Sequence, residues 1–343
     1  MKVIRPISKR LKVTAIVIAS IILFCTVMSL IPIPRKYWSG DNPMRTYGDM
    51  PTLIAHGGGN KEFPDNTLEA FYNAYSVDPN VMMETDVNIT KDGVVILSHS
   101  TSMNRKTKES GAISSWNYTD MIEKEVDFGY VNTIEDGKVV ASEHFKGADG
   151  KDKYPTDVEY PEGIEPRHET VFLATTLEEL ITSFPNNRIS VEIKQSGEDG
   201  MRTLREVLRL LEEYDAFDRV VLASFHEGIY KEYQRLQREG EVPDTFMYSP
   251  AYVDSIAFVL LQAFGLDVFF YRELCVFQLP HAGYGVRLAS RHLVRAIHDH
   301  NIAVQFWTVN DADDMEYLIR IGADGIMTDY PHLLKEVYDN YKK

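Results

Sequence analysis

Apolar and polar positions along this chain fall into three regimes. From Val13 to Ile31 the run VTAIVIASIILFCTVMSLI carries no charge, and a stretch of that length suits a helix crossing a hydrocarbon core roughly 30 Å thick. From Thr52 onward, short apolar runs alternate with segments whose apolar residues recur at helical spacing. Strands are predicted at Thr52–Ala55, Val81–Val87, Val94–Leu97, Ile189–Ile193, Val220–Ser224, Thr245–Tyr248, Leu274–Leu279, Ala303–Val309 and Gly325–Thr328. Helices are predicted over Asn66–Ser76, Thr203–Tyr214, Gly228–Arg238, Tyr252–Phe264, Arg291–His300 and Asp313–Ile321. Thr90-Lys91-Asp92-Gly93 reads as a tight turn joining two strands in a hairpin. Such alternation over this length predicts a parallel α/β architecture, a TIM (β/α)8 barrel. The third regime, 126–170, is rich in Gly, Asp, Glu, Lys and Tyr and reads as an inserted segment decorating the catalytic rim.

Composition changes the picture mainly at the N-terminus. With 343 residues, 44% hydrophobic and 25% charged, the chain is in the globular range. Its formal charge is −15, yet residues 1–36 hold seven basic side chains and no acid, which leaves −22 on the rest. Five of the basic residues (Lys2, Arg5, Lys9, Arg10, Lys12) precede the apolar run and two (Arg35, Lys36) follow it, an inside-positive bias that leaves the N-terminus in the cytoplasm. No small-x-small cleavage site follows the run, and Phe24 is a poor residue to precede a lipidated Cys25, so an uncleaved anchor is preferred to a signal peptide. The expected organisation is a cytoplasmic tail and transmembrane helix over 1–36, a linker over 37–50, and a catalytic barrel outside the cytoplasm over 51–343. An acidic body repels nucleic acid, so no such partner is expected. Cys25 in lipid and Cys275 in a strand leave no plausible intrachain disulfide.

Candidate chemistry gathers at strand ends. His56 closes the first strand and precedes Gly57-Gly58-Gly59, where the backbone can approach a ligand closely or simply turn. Glu84 and Asp86 lie two apart on a strand and therefore face the same side, inside an apolar run that disfavours them unless a cation or protons compensate. His99 follows the hairpin, and Glu192 and Lys194 repeat the same spacing on a later strand. Three carboxylates make an all-oxygen site for Ca2+ or Mg2+, two imidazoles can serve as acid and base, and Lys194 can hold an anionic oxygen. That combination suits phosphate-ester hydrolysis, whereas a glycosidase needs only paired carboxylates. Each of these residues alone has a plainer reading, a structural histidine or a solvated ion pair. Trp307 is split between barrel packing and substrate contact. His281, His292, His298, His300 and His332 have no evident partner, while Asp324 and Asp329 suggest caps or turns. Val268-Phe269-Phe270-Tyr271 reads as core, with contact to a lipid as the alternative.

The runs IAHGGGNKEFPDNTLEAF, METDVNITKDGVVILSHS and NRKT, followed by ATTLEEL, VEIK, ASF, FWTVN and GADGIMTDYP in that order across 51–335, resemble the glycerophosphodiester phosphodiesterase family. The resemblance implies a TIM barrel that splits glycerophosphodiesters into an alcohol and glycerol phosphate with a divalent metal. It further implies Glu84, Asp86 and Glu192 as metal ligands, His56 and His99 as the acid–base pair, and Lys194 as a phosphate contact. Two positions depart from the family pattern. Gly57 stands at the substrate-binding position where an arginine is usual, and Ser100 where an aspartate usually follows the second histidine. Loss of the guanidinium removes a bidentate anion contact, so Lys194, the metal, Lys61 or Arg105 must compensate, or the substrate differs. Lysophospholipids and related lipid phosphodiesters are the alternative substrates, and a decayed, surface-binding barrel the alternative role.

Overall fold

A computed structural model describes residues 9–30, 40–250, 252–270, 274–283 and 286–341. Eight parallel strands form the body: β1 (Thr52–His56), β2 (Met82–Ile89), β3 (Ile189–Ile193), β4 (Val220–Ala223), β5 (Met247–Ser249), β6 (Val276–Pro280), β7 (Ala303–Trp307) and β8 (Gly325–Thr328). Their hydrogen-bonded order is β5-β4-β3-β2-β1-β8-β7-β6. The end strands β5 and β6 approach one another, so the barrel is nearly closed, as the alternating pattern predicts. Strand parity sorts the core. Ile54, Met82, Val221, Met247, Ala303 and Met327 fill the barrel interior, while Leu53, Ala55, Met83, Val87 and Leu222 face outward into the helix layer.

Several boundaries differ from the sequence reading for local reasons. The helix expected from Asn66 begins at Leu68, because Asn66 has φ +60° and Thr67 caps the helix through the Ala70 N–H. The helix expected from Thr203 begins at Gly197, its first turn being too polar to show apolar periodicity. Strand β7 ends at Trp307, two residues before Val309. The stretch expected as a linker is, from Gly40 onward, part of the barrel base. Asn42 and Met44 are buried, Asn42 donates to the carbonyls of Cys275 and Asn301 at 2.7 and 2.8 Å, and the Thr46 N–H donates to Asp324. Residues 1–8 and 31–39, with four of the seven N-terminal basic side chains, lie outside the described residues, as does Tyr271.

Lys9–Ser29 forms one apolar helix of 21 residues with no part of it buried, long enough to cross a membrane. Cys25 and Cys275 are both free thiols. The inserted segment contains an antiparallel hairpin, Tyr130–Glu135 with Lys138–His144. It packs on the loop after His99, where Asn132 donates to the carbonyls of Asn104 and Thr107. Lys153 lies over the Phe63 ring, which brings the insertion to the loop that follows β1.

Arg167 fixes the far end of this insertion. Its guanidinium meets Glu69, buried in the helix Leu68–Val77, and Glu179, and it also donates to the Ala174 carbonyl and the Thr175 hydroxyl. Removing one partner of a buried ion pair leaves an uncompensated charge, which costs roughly 3–5 kcal/mol. Arg167→Met is therefore expected to destabilise the full chain by about 3 kcal/mol, seen as a Tm several degrees lower. An unchanged Tm would show that Glu69 is neutralised some other way.

Candidate active site

Strand register brings the candidate residues together. His56 on β1 lies opposite Glu84 on β2, and Asp86 on β2 lies opposite Glu192 on β3. All four share the inward parity that places Ile54 and Met82 below them. Oxygen atoms from Glu84, Asp86 and Glu192 lie within 4.8 Å of one another. A cavity of about 270 Å³ opens above this cluster, and His56, His99, Lys194 and Trp307 line it together with the three carboxylates. All the residues expected at the site except Gly57 thus border one space.

Like charges this close must be compensated. The Lys194 ammonium contacts Glu192 at 2.8 Å and Asp86 at 2.9 Å, and these carboxylates hold its pKa above the usual lysine value despite the opposing effect of burial. Glu84 accepts from the Gly57 N–H at 2.9 Å and faces His56 Nε2 at 4.0 Å. Burial, reinforced by the charge of Asp86, raises the Glu84 carboxyl to about 8. A largely buried all-oxygen set whose electrostatics call for positive charge fits a hard divalent cation.

His56 is clamped by a residue that sequence reasoning assigns to a turn. Its Nδ1 lies 2.6 Å from Asp329 Oδ1, and Asn310 donates to the other Asp329 oxygen at 2.7 Å. Burial alone would lower the imidazole pKa. The Asp329 hydrogen bond, with the charges of Glu84 and Asp329, outweighs it and raises the value to about 9. The clamp leaves Nε2 on the cavity side. The signal available in the sequence is the position of Asp329 directly after β8, at the same end of the barrel as His56. His99, by contrast, is shifted below the ordinary histidine value, first by burial and then by Lys194 and Arg105 against the attraction of Asp86.

Asn66 is a second missed residue. From its left-handed position it donates to Asp86 Oδ2 at 3.1 Å and to Asp65 Oδ2 at 3.0 Å. Its carbonyl oxygen accepts from the Thr85 hydroxyl and the Asp86 N–H. Behind it, Asp65 is held in its charged form by Lys106 and Arg105 in spite of burial. Gly57 has φ +55°, and a Cβ there would come within 2.9 Å of Asp65 Cβ; nothing in the structure explains its departure from the family's arginine. Arg105, named as a compensating cation, is paired with Asp65, and Lys61 is exposed. Gly58 allows close approach to protein rather than to ligand, since a Cβ would meet Ala70 Cβ at 2.7 Å. Ser100 offers its hydroxyl to the Ser102 N–H.

The remaining histidines correct the sequence reading. His298 pairs with Asp324 at 2.7 Å, His300 with Asp267, His332 with Glu62 and His281 with Asp314. Asp324 ties the barrel base together through Thr46, Val304 and His298.

Comparison with known proteins agrees with this geometry. Residues 56–333 match the Glycerophosphoryl diester phosphodiesterase family. The chain belongs to that family. As a family member it is a phosphoric diester hydrolase. Lysophospholipase D GDPD3 of Homo sapiens is 26% identical over 84% of this chain and 85% of its own length. A glycerophosphodiester phosphodiesterase of Bacillus altitudinis is 23% identical over 85% of this chain and 100% of its own. Among solved structures, a glycerophosphoryl diester phosphodiesterase domain from Mycobacterium tuberculosis superposes with TM-score 0.63 at 16% identity, covering 84% of this chain and 99% of that one. An Oleispira antarctica phosphodiesterase in complex with the product sn-glycerol-3-phosphate superposes at 0.59 with 18% identity, over 85% of this chain and 98% of that one.

The clamp on His56 gives this phosphodiesterase a measurable signature. Asp329→Asn removes a nearby negative charge and leaves only a neutral amide acceptor for the charged ring, so the His56 pKa should fall clearly below 9. NMR titration of the ring checks this. A value unchanged in the variant would mean that Glu84 alone sets the charge of His56.

Proposed function

We propose that this phosphodiesterase is divalent-metal dependent, with Glu84, Asp86 and Glu192 holding the ion and His56 and His99 acting as the acid–base pair. The supporting observation is the convergence of three carboxylates within 4.8 Å, on a cavity that both imidazoles also line. When bound, a Ca2+ or Mg2+ ion supplies Lewis-acid stabilisation of charge on the phosphate. Lys194, which bridges Asp86 and Glu192 and lines the cavity, holds a phosphate oxygen. His99, held towards its neutral form, takes the proton of the attacking oxygen. His56, held towards its charged form, gives a proton to the leaving alkoxide through Nε2. The attacking oxygen comes from water, or from a neighbouring substrate hydroxyl whose cyclic phosphate water then opens. Either way one P–O bond to the alcohol breaks and glycerol phosphate and the alcohol are released. Both histidines and the full carboxylate set are retained, which a decayed binding barrel would not need.

The substrate class is a glycerophosphodiester, and lysophospholipids belong within it. Phe225 and Pro250 border the cavity beside Trp307, giving apolar surface for an acyl chain carried on the glycerol, and the human relative is named a lysophospholipase D. We read Lys9–Ser29 as a single membrane span, with the N-terminus in the cytoplasm and the barrel outside.

The full chain should hydrolyse glycerophosphocholine and lysophosphatidylcholine in the presence of Ca2+ or Mg2+, leaving the phosphate on the glycerol. His56→Ala and EDTA should each lower the rate by at least about a hundredfold while leaving the barrel folded, as far-UV circular dichroism would show. Turnover that survives both treatments would refute the reading. Since burial and the charge of Asp86 hold the Glu84 carboxyl well above the usual carboxylate range, cation binding near pH 7 should release on the order of one proton, with His56 keeping its own. Calorimetry in buffers of different ionisation enthalpy measures that number, and zero release would contradict the assigned ligands.

A further inference from the structure

The helix Tyr252–Ala263 that follows β5 carries an apolar face that is left open among the described residues. Val253, Ile256, Leu260 and Phe264 are 69, 42, 55 and 63% exposed. Their spacing of three, four and four residues sets them along one side of the helix, a stripe about 17 Å long at 1.5 Å per residue. Asp254, the helix's one charged residue, is buried on the other side. Phe269 adds a further exposed ring just past the helix, while its neighbours Val268 and Phe270 are buried. A stripe of this kind on the outside of a barrel calls for a partner.

Its two ends identify the partner. At the C-terminal end, Gly265 packs so closely on the apolar N-terminal helix that a Cβ there would lie 2.9 Å from Ser29 Cβ and 3.2 Å from the Cys25 carbonyl oxygen. The last turn of that helix therefore meets the barrel where the stripe ends. At the other end, Tyr252 follows Ser249 and Pro250, which border the catalytic cavity, where Phe225 is also exposed. Charges at the junction are mixed, with His292 and Arg295 alongside Asp267 and Asp299, so attraction to anionic headgroups is not the driving force.

We propose that the Val253–Ile256–Leu260–Phe264 face is a membrane-docking surface that lays the side of the barrel on the bilayer carrying the N-terminal helix, with the cavity mouth at the lipid surface. This rests on the reading of Lys9–Ser29 as a membrane span and goes beyond it, because a span alone would leave the barrel free to stand away from the lipid. A bilayer that takes in this helix reaches the stripe at Gly265 without a break, and shallow insertion of such a face is driven by apolar area.

The test uses the full chain in phosphatidylcholine nanodiscs, with Leu260→Cys in a Cys25→Ser background carrying an environment-sensitive fluorophore. Cys275 is buried and does not compete for label. Ser76→Cys, in the exposed part of the helix between β1 and β2 on the far side of the barrel, is the control. Retention after alkaline washing reads the span independently. The expected result is retention of both variants, with quenching by lipids spin-labelled near the headgroup at least about threefold stronger at 260 than at 76 and insensitive to salt. The same probe at Phe264→Cys should lose that quenching in an Ile256→Ser/Leu260→Ser background that still hydrolyses glycerophosphocholine. Equal, weak quenching at 260 and 76 in retained protein would overturn the docking surface and leave the span intact. Burial of the probe without lipid quenching, together with cross-links between copies, would overturn it in favour of self-association. Loss of the protein on washing would overturn both the span and the docking surface.

Discussion

Mutual repulsion among three carboxylates, two buried and one half-buried, is the constraint around which this barrel is organised. Two unit charges 4.8 Å apart repel by about 3 kcal/mol at an effective dielectric near 20, and the cluster contains three such pairs. Lys194 answers for two of its members, because contacts of 2.8 and 2.9 Å each bring about 6 kcal/mol of attraction on the same scale. Glu84 is placed differently, held by the Gly57 N–H and facing an imidazole at 4.0 Å. It is accordingly the carboxyl raised to about 8. Positive charge from lysine, imidazolium and a proton thus gathers where a divalent cation would serve all three oxygens at once. The electrostatic requirement comes with the fold, before any substrate arrives.

Holding such a cluster in place takes a shell of fixed hydrogen bonds, which two side chains largely provide. Asn66 joins Asp86, Thr85 and Asp65 through a single amide, and its left-handed backbone lets it reach back from the start of a helix to the neighbouring strand. Asp329 performs the same service for His56 from the opposite neighbour of β1. One ring nitrogen is committed to a carboxylate and the other left to the cavity. These contacts join strands β8, β1 and β2, so the site is braced by the part of the sheet whose hydrogen bonding is unbroken. The open seam between β5 and β6 adds Ser249, Pro250 and Gln278 to the cavity wall but none of these bracing contacts.

This division explains what can be read from the sequence and what cannot. Strand parity is a local property, so Glu84 and Asp86, or Glu192 and Lys194, announce a shared face from two residues of spacing. The strand–helix alternation likewise announces the barrel. The resemblance to a known family then supplies the metal and acid–base roles. Asn66 and Asp329 stay hidden because their importance lies in partners 19 to 273 positions away. The helix Gly197–Glu213 reads short because Gly197, Glu198, Asp199 and Gly200 make up a first turn with no apolar periodicity. Residues 40–49 look like a linker because their anchoring groups are backbone carbonyls of Cys275 and Asn301, which leave no trace in composition.

The two ends of the barrel are not equivalent with respect to a membrane. The catalytic cavity is at the carboxyl ends of the strands, whereas the N-terminal helix meets the protein at the base, beside Gly265, where residues 40–46 also close the floor. A barrel standing upright on such an anchor would hold its cavity a full strand length or more from the lipid. An eight-stranded barrel offers no shortcut through its middle, since Met44, Ile54, Met82 and Met327 fill it. The route from base to mouth must therefore run along the outside. Of the helices on that outer surface, Tyr252–Ala263 both touches the anchor's exit and begins at the residues bordering the cavity. Its exposed Val253, Ile256 and Leu260 are misplaced on a helix facing water, but well placed on one lying against a lipid surface.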